Sequence, residues 1–309
     1  MDFNKNFETL YQKLLSDKTR NRSEQAILVI AIASFLIHLL IIYLVDFGFI
    51  SLNSSSDLIK NPISAIYTPF SFILVYEVYL LIYYLPKSFS TYICKQYEII
   101  TLIIIRRLFK DLSTLSFSSD WFEIKYDLNF TYDLIASVLL FFLIYQFYIH
   151  SKKRYGPAEK NELKIDGISR FIKIKKALAT VLVPILILVA IYSFINWLIS
   201  TIDPSVNANV SFKNINNIFF EQFFTILIIV DVILLLFSFF HTDEFHKVIR
   251  NSGFIISTIL IRLSFSVSGL LNVLLIVSAI IFGLLILLIH NKFEAYIALE
   301  KRNEDATSK

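Results

Sequence analysis

Long apolar runs separated by short clusters of charge set the pattern of this chain. Ala26–Val45 carries no formal charge, Ile63–Leu85 is interrupted by Glu77 alone, and Phe130–Ile149 by Asp133 alone. Ala177–Thr201 is uncharged and contains Pro184, an expected kink. Asn217–Phe240 carries Glu221 and Asp231, and Leu263–Asn291 runs for 29 residues without a formal charge. A membrane-crossing helix takes about 20 largely apolar residues, so each run predicts one span. The last is longer than a span, which places its first residues in a preceding turn.

Two weaker segments, Ile93–Phe109 and Val248–Phe265, fall short on hydropathy. The basic residues decide in their favour. The stretch His150–Lys176 holds nine Lys/Arg and residues 1–25 hold five, and short basic loops stay cytoplasmic. With six spans these two would face opposite sides. With eight they share the cytoplasmic side, together with the turns Lys87–Lys95 and His241–Arg250 and the tail. Then 22 of the 29 Lys/Arg are cytoplasmic and only Lys60, Lys110, Lys125 and Lys213 are external.

Composition agrees. The chain is 56% hydrophobic and 17% charged, against about 45–50% and 25% for soluble domains. The expected fold class is all-α, a polytopic membrane bundle of eight transmembrane helices. The 30 Phe and 16 Tyr beside only six Gly suit an AT-rich coding sequence, so the aromatics are not read as a stacking platform. The single cysteine, Cys94, excludes an internal disulfide and reads as a small buried side chain. Residues 1–25 contain no apolar signal-peptide core, so the first span is expected to act as the insertion signal.

The second half repeats the first. "EIITLIIIRRLF" (98–109) aligns without gaps on "FIISTILIRLSF" (254–265), placing Arg106 on Arg262. "EVYLLIYYL" (77–85) aligns on "DVILLLFSF" (231–239), placing Glu77 on Asp231, and "IHSK" (149–152) matches "IHNK" (289–292). The expected organisation is an amphipathic N-terminal segment 1–25, a four-span unit 26–152, a basic linker 153–176, a second four-span unit 177–292 and a tail 293–309. Units of even span number share one orientation, so the repeats are parallel.

The unit resembles the PsiE-like, phosphate-starvation-inducible membrane proteins, which are single four-span modules. Their third span ends in branched apolar residues, an arginine, more apolar residues and an aspartate. Here "IIIRRLFKD" supplies Arg106 and Asp111, "DLIASVLLFFLI" (133–144) follows, and Glu77 provides the acidic residue of the second span. In the second unit Val267 stands where the aspartate belongs. The resemblance implies a four-helix fold and a bacterial cytoplasmic (inner) membrane, and the basic-residue partition places both termini on the cytoplasmic side. It implies envelope or stress signalling rather than a defined reaction.

Charges inside a membrane are costly, about 2.5–3.5 kcal/mol each at the centre, and so face a bundle interior and pair. At 1.5 Å per residue Glu77 lies about 13 Å deep and Arg106 about 20 Å. Helical side chains lean toward their own N-terminus, and the two spans run in opposite directions, so the two groups converge. The same reasoning pairs Asp231 with Arg262. The pairs either fix helix register or line a polar path for ions or protons; His38, Asp133 and Arg107 are the further candidates for such a path. A voltage sensor is disfavoured because its arginines repeat at helical spacing. Arg107 is expected to snorkel to the outer headgroups.

Nothing in the sequence suggests an enzyme, a cofactor or a metal. There is no Gly-rich phosphate loop, no nucleophile elbow, and no H-E-x-x-H or similar spacing among the five histidines. Phe3, Phe7, Leu10 and Leu14 share one helical face, which would lie on the inner leaflet or dock a partner. "SRFIKIKKALA" (169–179) reads as topogenic charge in contact with anionic lipid. The acidic, aromatic loop Asp111–Asn129 has no counterpart in the second unit and is a candidate docking or gating element. "AIIFG" (279–283) offers a small-xxx-small helix contact. The expected partners are the bilayer with anionic inner-leaflet lipids and either a second copy or another protein, with no nucleic acid. The expected function is a non-catalytic membrane subunit or sensor built on the acid–arginine pairs. The alternative is an ion, proton or small-solute channel or transporter with a path near Glu77 and Asp231.

Overall fold

Ser16 divides the N-terminal region into two helices. Its Oγ accepts from the Thr19 backbone N–H at 3.2 Å, the arrangement of an N-cap. In the computed structural model of the chain this ends α1 (Asp2–Leu15) and starts α2 (Asp17–Asp46). A 3-10 turn at Pro62–Ile66 leads into α3 (Tyr67–Tyr84), followed by α4 (Phe89–Leu112) and α5 (Lys125–Ser151). Then come α6 (Glu162–Ile202), α7 (Phe212–Phe239), α8 (Phe245–Ser264) and α9 (Leu270–Thr307). The structure describes residues 2–49, 62–112, 125–152, 162–202, 212–240, 244–267 and 269–307. Within them it is all-helical, without strands.

One helix covers each expected span, with shifted bounds. α2 begins at Asp17 because the Ser16 cap lies there, so residues 17–25 continue into the first span. α6 begins at Glu162 and passes through Pro184 as a single helix. α9 runs on to Thr307, so much of the expected tail is helical. The expected turn before the last span is present, with Phe265–Val267 leaving α8 and Gly269 leading into α9. There Gly269 adopts φ +73° and the Asn272 amide donates to the Ser264 carbonyl at 2.6 Å. Asn272 is fully buried, so its amide takes the carbonyl that ends α8.

Among the described residues five helices are long and apolar enough to cross a membrane: α2, α5, α6, α7 and α9. Helices of that length and composition suit a membrane protein. The outward faces agree: Leu28, Val29, Ile32, Leu36, Ile37 and Leu40 of α2 are exposed, as are Ile135, Val138, Phe141 and Phe142 of α5. Contiguous apolar faces of this size are not left to water by a soluble protein.

The chain forms two compact units. Unit 1 comprises Met1–Tyr84, Ile103–Phe130 and Lys176–Leu227, and unit 2 comprises Leu85–Leu102, Thr131–Lys175 and Ile228–Lys309. Each therefore draws on both of the four-span segments expected from the repeat.

In unit 1, α3 turns one edge toward α1 and α2. Tyr76, Tyr79 and Tyr83 follow one another at helical spacing. Tyr76 donates to Glu24 at 3.0 Å, Tyr79 to the Leu14 carbonyl at 2.9 Å, and Tyr83 to Asp17. Arg20 lies 5.2 Å above the Tyr83 ring. Lys176 of α6 pairs with Glu8 at 2.8 Å and sits over Tyr11. The N-terminal helix is thus tied to its own chain, with Leu15 buried and Leu10 left exposed. Lys176 lies within the basic stretch expected to meet anionic lipid.

In unit 2, α8 and α9 pack closely through small residues. Gly253 and Ser257 on α8 meet the α9 face that carries Ala279, Gly283 and Ile286. Ser257 donates to the Ala279 carbonyl at 2.6 Å, and a Cβ on Gly253 would touch Ile286. The Tyr97 hydroxyl of α4 hydrogen-bonds Ser257 at 2.7 Å and fills the notch that Gly283 leaves. Phe147 bridges Tyr97 and Phe254, with ring centroids 5.1 and 5.5 Å away, and all three are fully buried.

A methyl group at Gly283 would overlap the Tyr97 hydroxyl. Gly283→Ala is expected to destabilise the protein by about 1–3 kcal/mol, the usual cost of overpacking. The same substitution in a Tyr97→Phe background should cost less, measured as thermal midpoints in detergent. Equal costs in both backgrounds would contradict this packing.

Candidate functional site

Glu77 lies on α3 and Arg106 on α4, both within unit 1. Arg106 Nη2 stands 2.6 Å from Glu77 Oε2, and the two side chains are only 11% and 5% exposed. The contact is a close ion pair, off the angle of a well-formed hydrogen bond. Nη1 donates to the Phe70 carbonyl at 3.3 Å. Carbonyls point toward the C-terminus of a helix and side chains lean toward its N-terminus. Acceptors at positions 70 and 77 therefore approach each other and fit one guanidinium. The two side chains thus converge as opposed helix directions require.

Asp231 on α7 is held differently. Its Oδ1 accepts from the Tyr92 hydroxyl at 2.8 Å and its Oδ2 from the Gln96 amide at 3.1 Å. Tyr92 and Gln96 are four residues apart on α4, so they share one face, and all three residues are buried. The nearby positive charge acting on Asp231 belongs to Lys175 of α6. Lys175 is itself buried, donates to the Lys87 carbonyl at 2.9 Å, and lies 4.3 Å over Phe89 and 5.1 Å over Phe171. The expected Asp231–Arg262 pair is therefore corrected: two neutral donors hold the carboxylate, and Arg262, half-buried near the end of α8, makes other contacts. Lys175 is likewise an interior residue rather than a lipid contact.

The remaining candidates are spread over both units. His38 is half-buried, and its Nδ1 lies 2.5 Å from Thr68 Oγ1, a bond between α2 and α3. Arg107 is half-buried and engaged rather than reaching for headgroups. Asp133 is buried in unit 2, while His38 and Arg107 belong to unit 1. Cys94 is buried and reduced, 3.8 Å from Glu98 Oε1, as its small-residue reading requires. Residues 113–124 of the candidate docking loop, most of the linker before residue 162, and Lys60 lie outside the described residues.

Sequence reasoning missed Tyr92, Gln96 and Lys175. Tyr92 and Gln96 are neutral, and a search for charge in apolar runs passes over them. Their i, i+4 spacing at the start of a weakly apolar span was the available signal.

If Tyr92 holds Asp231, a double-mutant cycle of Asp231→Asn with Tyr92→Phe shows a coupling of at least about 0.5 kcal/mol. The cycle of Asp231→Asn with Arg262→Gln shows none, read from thermal or denaturant midpoints. The reverse order would restore the acid–arginine pairing. No protein-family model, curated protein or solved structure matches this chain.

Proposed function

We propose that this chain is a non-catalytic integral-membrane subunit or sensor, an eight-span bundle of two parallel four-helix repeats. It would sit in a bacterial cytoplasmic membrane with both termini on the cytoplasmic side. The likeness to PsiE-like modules, the basic-residue partition and the five strongly apolar helices support this reading. The three weaker helices fit it as well. α8 buries nine of its residues, including His246, Asn251, Ser257 and Thr258. Those buried polar residues lower its hydropathy, while Ile249, Ile256, Leu260 and Leu263 still give it an outward apolar face.

The observation that carries the functional reading is the enclosure of the Glu77–Arg106 pair at 2.6 Å. Groups that pass ions along face water. Glu77 and Asp231, at 4% and 2% exposure, face protein. An enclosed pair adds little net stability, but loss of one partner leaves a bare charge and costs about 3–5 kcal/mol. Such a pair specifies which faces of α3 and α4 meet.

Glu77→Gln and Arg106→Gln should each lower the yield of folded protein and its melting temperature. The double variant Glu77→Gln with Arg106→Gln should recover most of both. Proteoliposomes of the wild type should show no proton or ion flux above protein-free vesicles. A flux abolished by Glu77→Gln or Asp231→Asn would overturn this reading in favour of a channel or transporter.

A further inference from the structure

His246 in the first turn of α8 and His290 on α9 stack with ring centroids 5.2 Å apart and planes inclined by 20°. Phe293 lies parallel to His246 with ring centroids 6.2 Å apart. Glu294 follows His290 by one helical turn. Its Oε1 stands 3.0 Å from His246 Nε2 and 3.8 Å from His290 Nε2. One donor atom from each of the three residues lies within 4.8 Å of the other two. Glu244, just before α8, places Oε2 3.5 Å from His246 Nε2.

We propose that His246, His290 and Glu294 form a binding site for a divalent transition metal, Zn2+ by the chemistry of the donors, with a fourth position within reach of Glu244. Two imidazoles and a carboxylate are a zinc donor set. Bonds of 2.0–2.2 Å in a tetrahedron put donor atoms roughly 3.3–3.5 Å apart. The Glu294 oxygen lies 3.0 and 3.8 Å from the two imidazole nitrogens, on either side of that value, and all three donors lie within 4.8 Å, so side-chain movements would close the geometry. His246 and His290 are enclosed, while the Glu294 side chain is 27% exposed and gives the ion a way in. The ion would clamp the start of α8 to α9, at the opposite end of this helix pair from the Gly269 turn.

Arg250 regulates the site. Its Nη1 lies 2.9 Å from His290 Nε2, the lone pair the ion would use. Its Nε and Nη2 both donate to Asn251 Oδ1, at 3.1 and 3.0 Å. Metal and guanidinium compete for His290, and the Asn251 anchor keeps Arg250 partnered when the ion displaces it. The like charge of Arg250 also weakens cation binding, which suits a site filled only when metal is abundant.

The test uses the full chain, purified in detergent with any affinity tag removed. Equilibrium dialysis with elemental analysis reads Zn2+ per chain, and Co2+ titration reads the visible absorption of a four-coordinate ion. The wild type binds one Zn2+ per chain. His246→Gln and Glu294→Gln each weaken binding by at least about ten-fold, the lower end of what even outer-shell losses cost a metal site. His150→Gln leaves binding unchanged. Arg250→Gln tightens binding, a gain that misfolding cannot imitate. No zinc on the wild type, ligand variants that bind as the wild type does, or an Arg250→Gln variant that binds more weakly would each overturn the proposal. The readout is metal content, so it stands or fails apart from the membrane-subunit reading.

Discussion

A charge removed from water must find its partner inside the chain, and the polar interior of this protein follows from that constraint. Burying an unpaired ion costs several kcal/mol even after relaxation, and a bilayer core supplies no water to offset it. Glu77 and Asp231 are accordingly each met by donors from another helix. Arg106 of α4 meets Glu77 and also donates to the Phe70 carbonyl, while Tyr92 and Gln96 divide the two oxygens of Asp231 between them. Because the partners come from different helices, satisfying the charge also selects which helix faces meet.

The two carboxylates show alternative solutions with different consequences. A guanidinium neutralises Glu77 directly, and the pair behaves as one neutral, rigid unit. Asp231 receives two neutral donors, and the charge of Lys175 acts on it while Lys175 itself leans on the Lys87 carbonyl and two phenylalanine rings. Neutral donors stabilise a carboxylate through dipoles that need exact placement, so Asp231 depends on the whole face of α4 being set correctly. Sequence similarity between the halves places an acid at both positions. It does not guarantee the same partner, because the partner is chosen by packing.

That distinction also marks what was legible in the sequence. Helix number and order followed from apolar runs and basic turns, since both are local. The Glu77–Arg106 contact was readable because charges are rare in such runs and helix direction fixes where side chains lean. The Ser16 cap was available as a residue type but hidden by a domain boundary drawn at the first apolar residue. Tyr92 and Gln96 were invisible because nothing distinguishes a neutral donor from its neighbours until a carboxylate lies opposite. His246 and His290 are 44 positions apart, so no short spacing joins them; only the close packing of α8 on α9 does. The pair His290 and Glu294, at i and i+4, was the one local trace.

Close helix packing and buried polar chemistry in unit 2 arise from the same residues. Gly253, Ser257 and Gly283 remove side-chain bulk, which lets α8, α9 and Tyr97 approach within hydrogen-bonding reach. Dispersion across such a contact grows with proximity, and helix association in lipid relies on it because apolar burial gives no advantage there. Proximity at Gly253 in turn helps bring the histidine-bearing ends of α8 and α9 together. A bulkier residue at Gly253 or Gly283 would therefore act beyond its own position, through the α8–α9 contact that also carries His246 and Glu294. Small residues in an apolar span thus set the spacing on which the distant polar cluster depends.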